Sequence, residues 1–324
     1  MPKPLRILAL LSDPLLNANG SPVDRLGLEQ EIDRVRRQLS LPDRAVELHL
    51  QVAIPELILN TLRDRDPFDL LHFSGHGSHG VLAFEDGRGR ILPVDPLRLQ
   101  AIFAPLGRPP SRVACLSACR SETLAQALLA AGTPHVVAID GAQAVFDVAA
   151  RAFAAHFYPA LLAGKSVQQA FDFGRAAVLT DPPTLAACRA KAGRHPELAA
   201  RLAGDGPGPN LDQLADLLQR VEMLKFKLLP APAEQEAGDP HAVVPFPNVA
   251  PGGLTVFDLP PYPATLGAPL PSFTGRAEEM HTLIHYALDR PITTIVGFGG
   301  MGKSELAREV GRWLVRRGFF RGGV

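Results

Sequence analysis

A chain of 324 residues, 46% of them hydrophobic, can form one large domain or two ordinary ones and has the apolar side chains for a sizeable core. Its 33 basic and 33 acidic residues cancel, so nothing in the charge balance points to nucleic acid or an anionic membrane surface, and no run of about eighteen apolar residues reads as a membrane span. Three cysteines, Cys115, Cys119 and Cys188, make no disulfide framework and fit a reducing, cytoplasmic setting.

In chain order, the apolar run Leu5–Leu11 meets Ser12, Asp13 and Pro14 at once and reads as a buried strand. A signal peptide is the lesser alternative, since no small-residue cleavage site follows. Further strands are expected at 46–52, 68–73, 112–117 and 135–139, with helices between them at 24–39, 55–63, 96–103 and 122–130. Such alternation predicts an α/β fold, a mostly parallel sheet with helices on both faces. Residues 80–92 alternate around Asp86-Gly87 and read as a hairpin outside that sheet. Two longer helices are expected at 146–162 and 167–179. From about Gly204 glycine and proline become frequent, with one helix at 211–228. Residues 230–271 are dense in proline, and a linker without ladder or helix is expected there. A new strand and helix begin at Pro291. The expected organisation is a first domain over 1–203, a helix and linker over 204–270, and a second unit over 271–324.

Two strand ends carry candidate chemistry. FDLLHFSGHG (68–77) runs into the glycine-flanked His76, and SRVACLSACR (111–120) ends at Cys119. In an open parallel sheet, chemistry sits beyond the carboxyl ends of strands, so neighbouring strands would bring the two residues face to face. A thiol is little ionised at neutral pH, and a nearby imidazole raises its reactive fraction and later protonates the leaving amine. Gly75 and Gly77 allow close backbone approach, and the amides of Gly77 and Cys119 are candidate oxyanion donors. Taken singly, a strand-end cysteine is ordinarily a small buried hydrophobe and such a histidine a turn residue. His72, inside the strand, reads as structural, His79 as a rival base beyond the glycines, and Cys115 as core. A metal site on the three histidines lacks a helical pair, a cysteine pair or a carboxylate.

Ala118-Cys119-Arg120 matches the Ala-Cys-Arg core of caspases, with the histidine 43 residues upstream; Ser117 and Ser121 stand where that pattern has Gln and Gly. HFSGHG with CLSACRSE resembles the CHAT family, the separase-like branch of caspase-fold peptidases. The resemblance extends through residues 136–171 and the opening of the chain, covering 5–178. It implies a caspase-like α/β/α sandwich and a cysteine peptidase that acts on a protein or peptide without a cofactor, with His76 as general base and Cys119 as nucleophile. It also implies a charged substrate pocket. Asp147 falls at the position of the family's acidic residue after the fifth strand, and Asp140 ends that strand. Either could pair with Lys or Arg of a substrate, Asp147 by preference; alternatively Asp147 caps the helix beginning at Val148. At Asp140 the sequence departs from the glutamine that the resemblance leads one to expect.

ITTIVGFGGMGKS (292–304) places a β-branched strand before Gly297-x-x-x-x-Gly302-Lys303-Ser304 and a helix from Glu305 after it, the context of a P-loop. Amides around Gly297, Gly299, Gly300 and Gly302 would form a phosphate nest, Lys303 would reach the β- and γ-phosphates of ATP or another NTP, and Ser304 would hold Mg²⁺. PSFTGRAEEMHTL (271–283) resembles the opening of STAND-type NTPases of the NB-ARC kind, which places Gly275 and Arg276 near the nucleotide. No Walker B acid, sensor or winged-helix portion is present, so the NTPase site is expected to be incomplete in this chain. The joint implication is a cysteine endopeptidase effector under a nucleotide switch that self-assembles through the rest of the NTPase, in bacterial defence against phage or programmed death. The alternative is an inert CHAT-like adaptor in which nucleotide switching is the activity.

Overall fold

The structure, a computed structural model, describes every residue except 1, 27, 41–42, 79, 143, 204–207, 231–238, 258–263, 268–269, 271–272, 274 and 321–323, and omits the side chains of 28–31, 200 and 203. Alternation along β1 (Leu5–Leu11) sets the layers. Leu5, Ile7, Ala9 and Leu11 join one apolar cluster, while Leu8 and Leu10 join another on the opposite face. The chain continues through α1 (Leu28–Leu39), β2 (Val46–Val52), α2 (Pro55–Asp64) and β3 (Leu70–Ser74). A small antiparallel sheet of β4 (Gly77–Ser78), β5 (Val81–Glu85) and β6 (Ile91–Val94) follows, the expected hairpin with one short extra strand. Then come α3 (Pro96–Phe103), β7 (Val113–Ser117), α4 (Glu122–Ala130), β8 (His135–Ile139), α5 (Asp147–Leu162) and α6 (Val167–Thr180). The helices α7 (Pro182–Arg194) and α8 (Glu197–Ala203) have no counterpart in the sequence expectation; Pro182 at the first turn and the Asp181 carboxylate on the Thr184 amide (2.8 Å) start α7. The chain goes on through α9 (Leu211–Leu224), β9 (Phe226–Leu229), β10 (Leu254–Phe257), α10 (Ala277–Asp289) and α11 (Lys303–Arg316).

The main sheet has seven strands in the order β10-β2-β1-β3-β7-β8-β9, parallel except for the β8–β9 pair. Helices α1, α5 and α6 cover one face, and α2, α3 and α4 the other. The mostly parallel α/β architecture expected from the sequence is therefore present.

Four expectations need correction. The helix expected from residue 24 starts at Leu28, because the preceding segment is tied down: the Leu26 amide donates to Asp13 Oδ1 at 3.0 Å. The helix expected to reach 228 stops at Leu224, because Phe226–Leu229 pairs with β8 and Phe226 stacks on Phe153, ring centroids 4.3 Å apart. The proline-rich stretch is not a bare linker. It crosses to the opposite edge and adds β10 in parallel register with β2, where Phe257 stacks on His49 at 4.3 Å. An edge strand needs a ladder on one side only, so four proline-free residues suffice. Lastly, no strand forms before the glycine-rich loop. Residues 291–298 have no regular structure, with Ile292 81% and Val296 85% exposed. β-branched residues favour a pleated, half-buried surface, and no described strand lies beside these to provide one.

The helices that flank that loop do pack. Leu15 and Leu16, just after β1, join Met280 and Ile284 of α10 and Leu306, Val310, Trp313 and Leu314 of α11 in a third apolar cluster. Among the described residues no helix is long and apolar enough to cross a membrane.

Candidate active site

The candidate residues stand on adjacent strands. Parallel register sets His72 beside Cys115 and Ser74 beside Ser117, and both strands end there, so His76 and Cys119 leave the sheet side by side. The ladder continues one step further, with the Gly75 amide donating to the Ser117 carbonyl at 3.4 Å. Gly77 then packs directly on the Cys119 peptide: a Cβ added there would overlap the Cys119 carbonyl oxygen and sit 3.1 Å from Ala118 Cβ. At this position glycine is required by close approach rather than by its backbone angles.

Each loop is fastened. The Ala83 amide donates to the His76 carbonyl at 2.9 Å, so the hairpin holds the histidine's backbone. On the other loop, the buried Ser121 hydroxyl donates to the Leu116 carbonyl (3.2 Å) and accepts from the Ile139 amide (3.0 Å), stitching the Cys119 turn to β7 and β8. Arg120, next to Cys119, has φ 56°, and among the described residues it alone combines a side chain with positive φ. Such strain persists where the surroundings over-determine the backbone, and it clusters at working sites.

The imidazole has a partner that the sequence did not reveal. His76 Nε2 lies 2.6 Å from the Asp24 backbone carbonyl. A carbonyl can only accept, so Nε2 carries a proton, and in the neutral ring Nδ1 is the nitrogen with the lone pair. That contact fixes ring orientation and tautomer, the role a buried aspartate has in a serine-protease triad. A backbone carbonyl leaves no mark in side-chain identity, so no sequence signal could have found it. The Asp24 segment is itself anchored by Arg25, whose Nη2 lies 2.6 Å from the buried Asp13 carboxylate.

A cavity of about 480 Å³ opens beside the pair. His76, Gly77, Cys119 and Asp147 all line it, so four of the expected residues come together. Asp147 is the first residue of α5 and caps nothing. Its carboxylate is bridged by Arg151 at 3.1 Å and Arg34 at 3.7 Å. Asp140 lies elsewhere, accepting from the Ala142 amide (2.8 Å) and facing Lys227 (3.5 Å). It does not join the cavity lining. His72 also borders the cavity, buried at 3% exposure, with Nδ1 2.5 Å from the Tyr158 hydroxyl. Burial first, and the Arg34 charge second, push its imidazole down to about 4. Burial likewise pushes the Cys115 and Cys188 thiols up to about 11. Cys115 is core, as expected, and Cys119 is the partly exposed cysteine of the three. His79 lies outside the described residues. No group of three or more potential metal ligands clusters among the described residues.

At the glycine-rich loop, Lys303 Nζ donates to the carbonyls of Gly297 (2.8 Å) and Phe298 (2.7 Å), and Arg276 Nη1 donates to the Met301 carbonyl (3.0 Å). Gly297, Gly300 and Gly302 have φ of 155°, 79° and 74°; Gly299 does not share that conformation, and Ser304 lies in the first turn of α11.

This loop module is joined to the first domain through buried charge. Arg317 grips Glu85 with one edge of its guanidinium, Nε–Oε2 2.6 Å and Nη2–Oε1 2.8 Å, and both residues are buried. Glu85 Oε1 also accepts from the Asp13 amide at 2.9 Å. The Arg25 guanidinium reaches the other way, 3.8 Å from Met280 Sδ on α10.

Comparison with known proteins adds two findings. The CHAT domain family matches residues 7–201. Among solved structures, the chain is similar to the pyridoxal kinase from Staphylococcus aureus in complex with ADP, at 14% identity over 53% of this chain and 86% of that one, with a TM-score of 0.28, a likeness too slight to argue from. No curated protein matches the chain.

Proposed function

The chain belongs to the CHAT domain family, a caspase-like cysteine peptidase family, and on that premise we propose that it is a cysteine endopeptidase working through His76 and Cys119. The observation that carries this reading is the arrival of both residues in one cavity at the ends of two adjacent parallel strands, with His76 Nε2 committed to the Asp24 carbonyl. Nδ1 takes the thiol proton as Cys119 Sγ attacks the substrate carbonyl carbon. The oxyanion is held by the Gly77 and Cys119 amides. The C–N bond breaks, the amine leaves with the proton from Nδ1, and a thioester remains. Water, deprotonated by the same nitrogen, then releases the acid and restores the thiol. The Arg151 and Arg34 bridges to Asp147 bear against a pocket for Lys or Arg, since the carboxylate's charge is already compensated.

We further propose that residues 297–304 bind the phosphates of ATP or another NTP, as part of a STAND-type switch that governs the peptidase in defence or death signalling. The positive φ of Gly297, Gly300 and Gly302 supports this reading, and Arg276, just before α10, steadies the loop through the Met301 carbonyl. Bound Mg²⁺ would neutralise phosphate charge at Ser304.

Iodoacetamide at pH 8 tests the dyad. Cys119 should be alkylated while Cys115 and Cys188 stay intact, and His76→Ala should remove that advantage; equal reaction of all three cysteines rejects the peptidase reading and favours an inert adaptor. For the switch, ATP binding by the full chain should be lost in Lys303→Ala. Binding that persists there rejects the phosphate assignment.

A further inference from the structure

The catalytic base is held at two points, and both lead to the C-terminal helices. His76 Nε2 meets the Asp24 carbonyl at 2.6 Å, and the His76 carbonyl accepts from the Ala83 amide at 2.9 Å. Asp24 itself is exposed and lies in a segment without regular structure. A carbonyl in such a segment keeps one position only where its neighbours are tied down.

The ties are specific. The Val23 amide donates to the Leu15 carbonyl (3.0 Å) and the Leu26 amide to Asp13 Oδ1 (3.0 Å), so both flanks of Asp24 hang on residues 13–15. Arg25 closes the loop, its Nε and Nη2 donating to Asp13 Oδ2 at 3.1 and 2.6 Å. Residues 13–16 are in turn gripped by α10 and α11. Leu15 and Leu16 sit in the apolar cluster of those helices, and Arg317 Nη2 donates to the Asp13 carbonyl at 3.4 Å. Arg25 touches α10 through Met280 Sδ, and the Glu309 carboxylate of α11 acts on its charge together with Asp13 and Glu85. The second hold on His76 ends in the same place, because Glu85, two residues beyond Ala83 on β5, is the partner of Arg317.

We propose, resting on the peptidase reading above, that Arg25 is a positioning residue for the catalytic base, and that α10 and α11 set the reactivity of Cys119 through it by fixing the Asp24 carbonyl against His76. An imidazole that loses this carbonyl turns about its own side-chain bonds, and Nδ1 no longer faces the thiol. Small losses of orientation of this kind cost rate steeply. Arg25 stands at the crossing point, joined to the buried Asp13 carboxylate on one side and to Met280 and Glu309 on the other. A shift of the two helices therefore loosens Asp24 without touching Cys119. The glycine-rich loop lies between α10 and α11 in the chain, so a rearrangement of that loop bears on the helices that hold Arg25.

Alkylation of the full chain by iodoacetamide at pH 8, with mass spectrometry giving the rate at Cys119, tests the relay. Arg25→Met should slow Cys119 about tenfold and Glu309→Gln about threefold. Arg25→Lys, which keeps a cation beside Asp13, should retain part of the rate. Arg25 also borders the cavity, so a direct action of its charge on the thiolate must be told apart from an action through His76. In His76→Ala neither substitution should slow Cys119 further, and Glu309→Gln should add nothing to Arg25→Met. An unchanged rate in Arg25→Met, a loss that persists in His76→Ala, or additive losses from Arg25→Met and Glu309→Gln each overturn the proposal. Should Arg25→Met fail to fold, Arg25→Lys and Glu309→Gln carry the same comparisons, and full rates in both overturn it. If Cys119 of the unaltered chain reacts no faster than in the denatured chain, the peptidase reading falls and this inference with it. Brisk reaction that ignores the substitutions overturns the inference alone.

Discussion

Two regions of this molecule, the segments through Cys119 and through Lys303, share one sequence grammar, an apolar run, a loop of small residues and a helix, and they fold differently. Around His76 and Cys119 the runs are central strands, paired on both sides and buried. Before Lys303 the run is no strand, and Phe298 within its loop is 85% exposed. The helix after each loop forms in both cases, because a helix satisfies its own backbone and needs only an apolar face to dock. A strand requires a neighbour for its hydrogen bonds. A motif thus predicts a helix more safely than it predicts the strand in front of it.

The largest expected effect tests whether the two regions form one body. Arg317→Met leaves Glu85 buried without its partner, and unfolding in urea should show a loss of about 3–5 kcal/mol. The exposed Arg88–Asp289 pair (3.4 Å) joins the same two pieces, yet Arg88→Ala should fall within error, because solvent screens it. Equal effects from the two substitutions would mean that the buried bridge does not hold the module.

Glycines separate the regions next. Gly77→Ala drives a Cβ into the Cys119 carbonyl, so peptide cleavage should fall about a hundredfold through a small displacement of the thiol. Gly299→Ala meets nothing within 4 Å and should leave the folding stability of the full chain unchanged. If Ala is tolerated equally at both, the packing account of the dyad fails.

A smaller effect is pH dependence in the first region. His72 is held at about 4 and His49, also chiefly through burial, at about 4, against an ordinary 6.5. Between those values the unfolded chain binds protons that the folded chain refuses. Stability is therefore complete above pH 6.5 and declines as pH falls toward 4. The melting temperature should drop across that window, and His72→Gln should flatten the slope. An unchanged slope would remove His72 from the account.

The sequence alone carried the alternation of strands and helices, because period-2 and period-3.6 patterns are local and the apolar content of each run is visible in place. It also placed His76, Cys119 and Asp147 close enough to strand ends or a helix start that their meeting in one cavity could be expected. Other features were settled only by long-range contacts. The Asp24 carbonyl on His76 depends on a backbone path 52 residues away. The strand at Leu254–Phe257 exists because β2 offers it an open edge. The bridging of Asp147 by Arg34 needs α1 to lie across α5, and the orphaned Nε2 of His72 needs Tyr158 to claim the other nitrogen. Residue identity and spacing report what a segment can do by itself. Which hydrogen bond or charge reaches which partner is decided by the packed arrangement, where distances no longer follow chain separation.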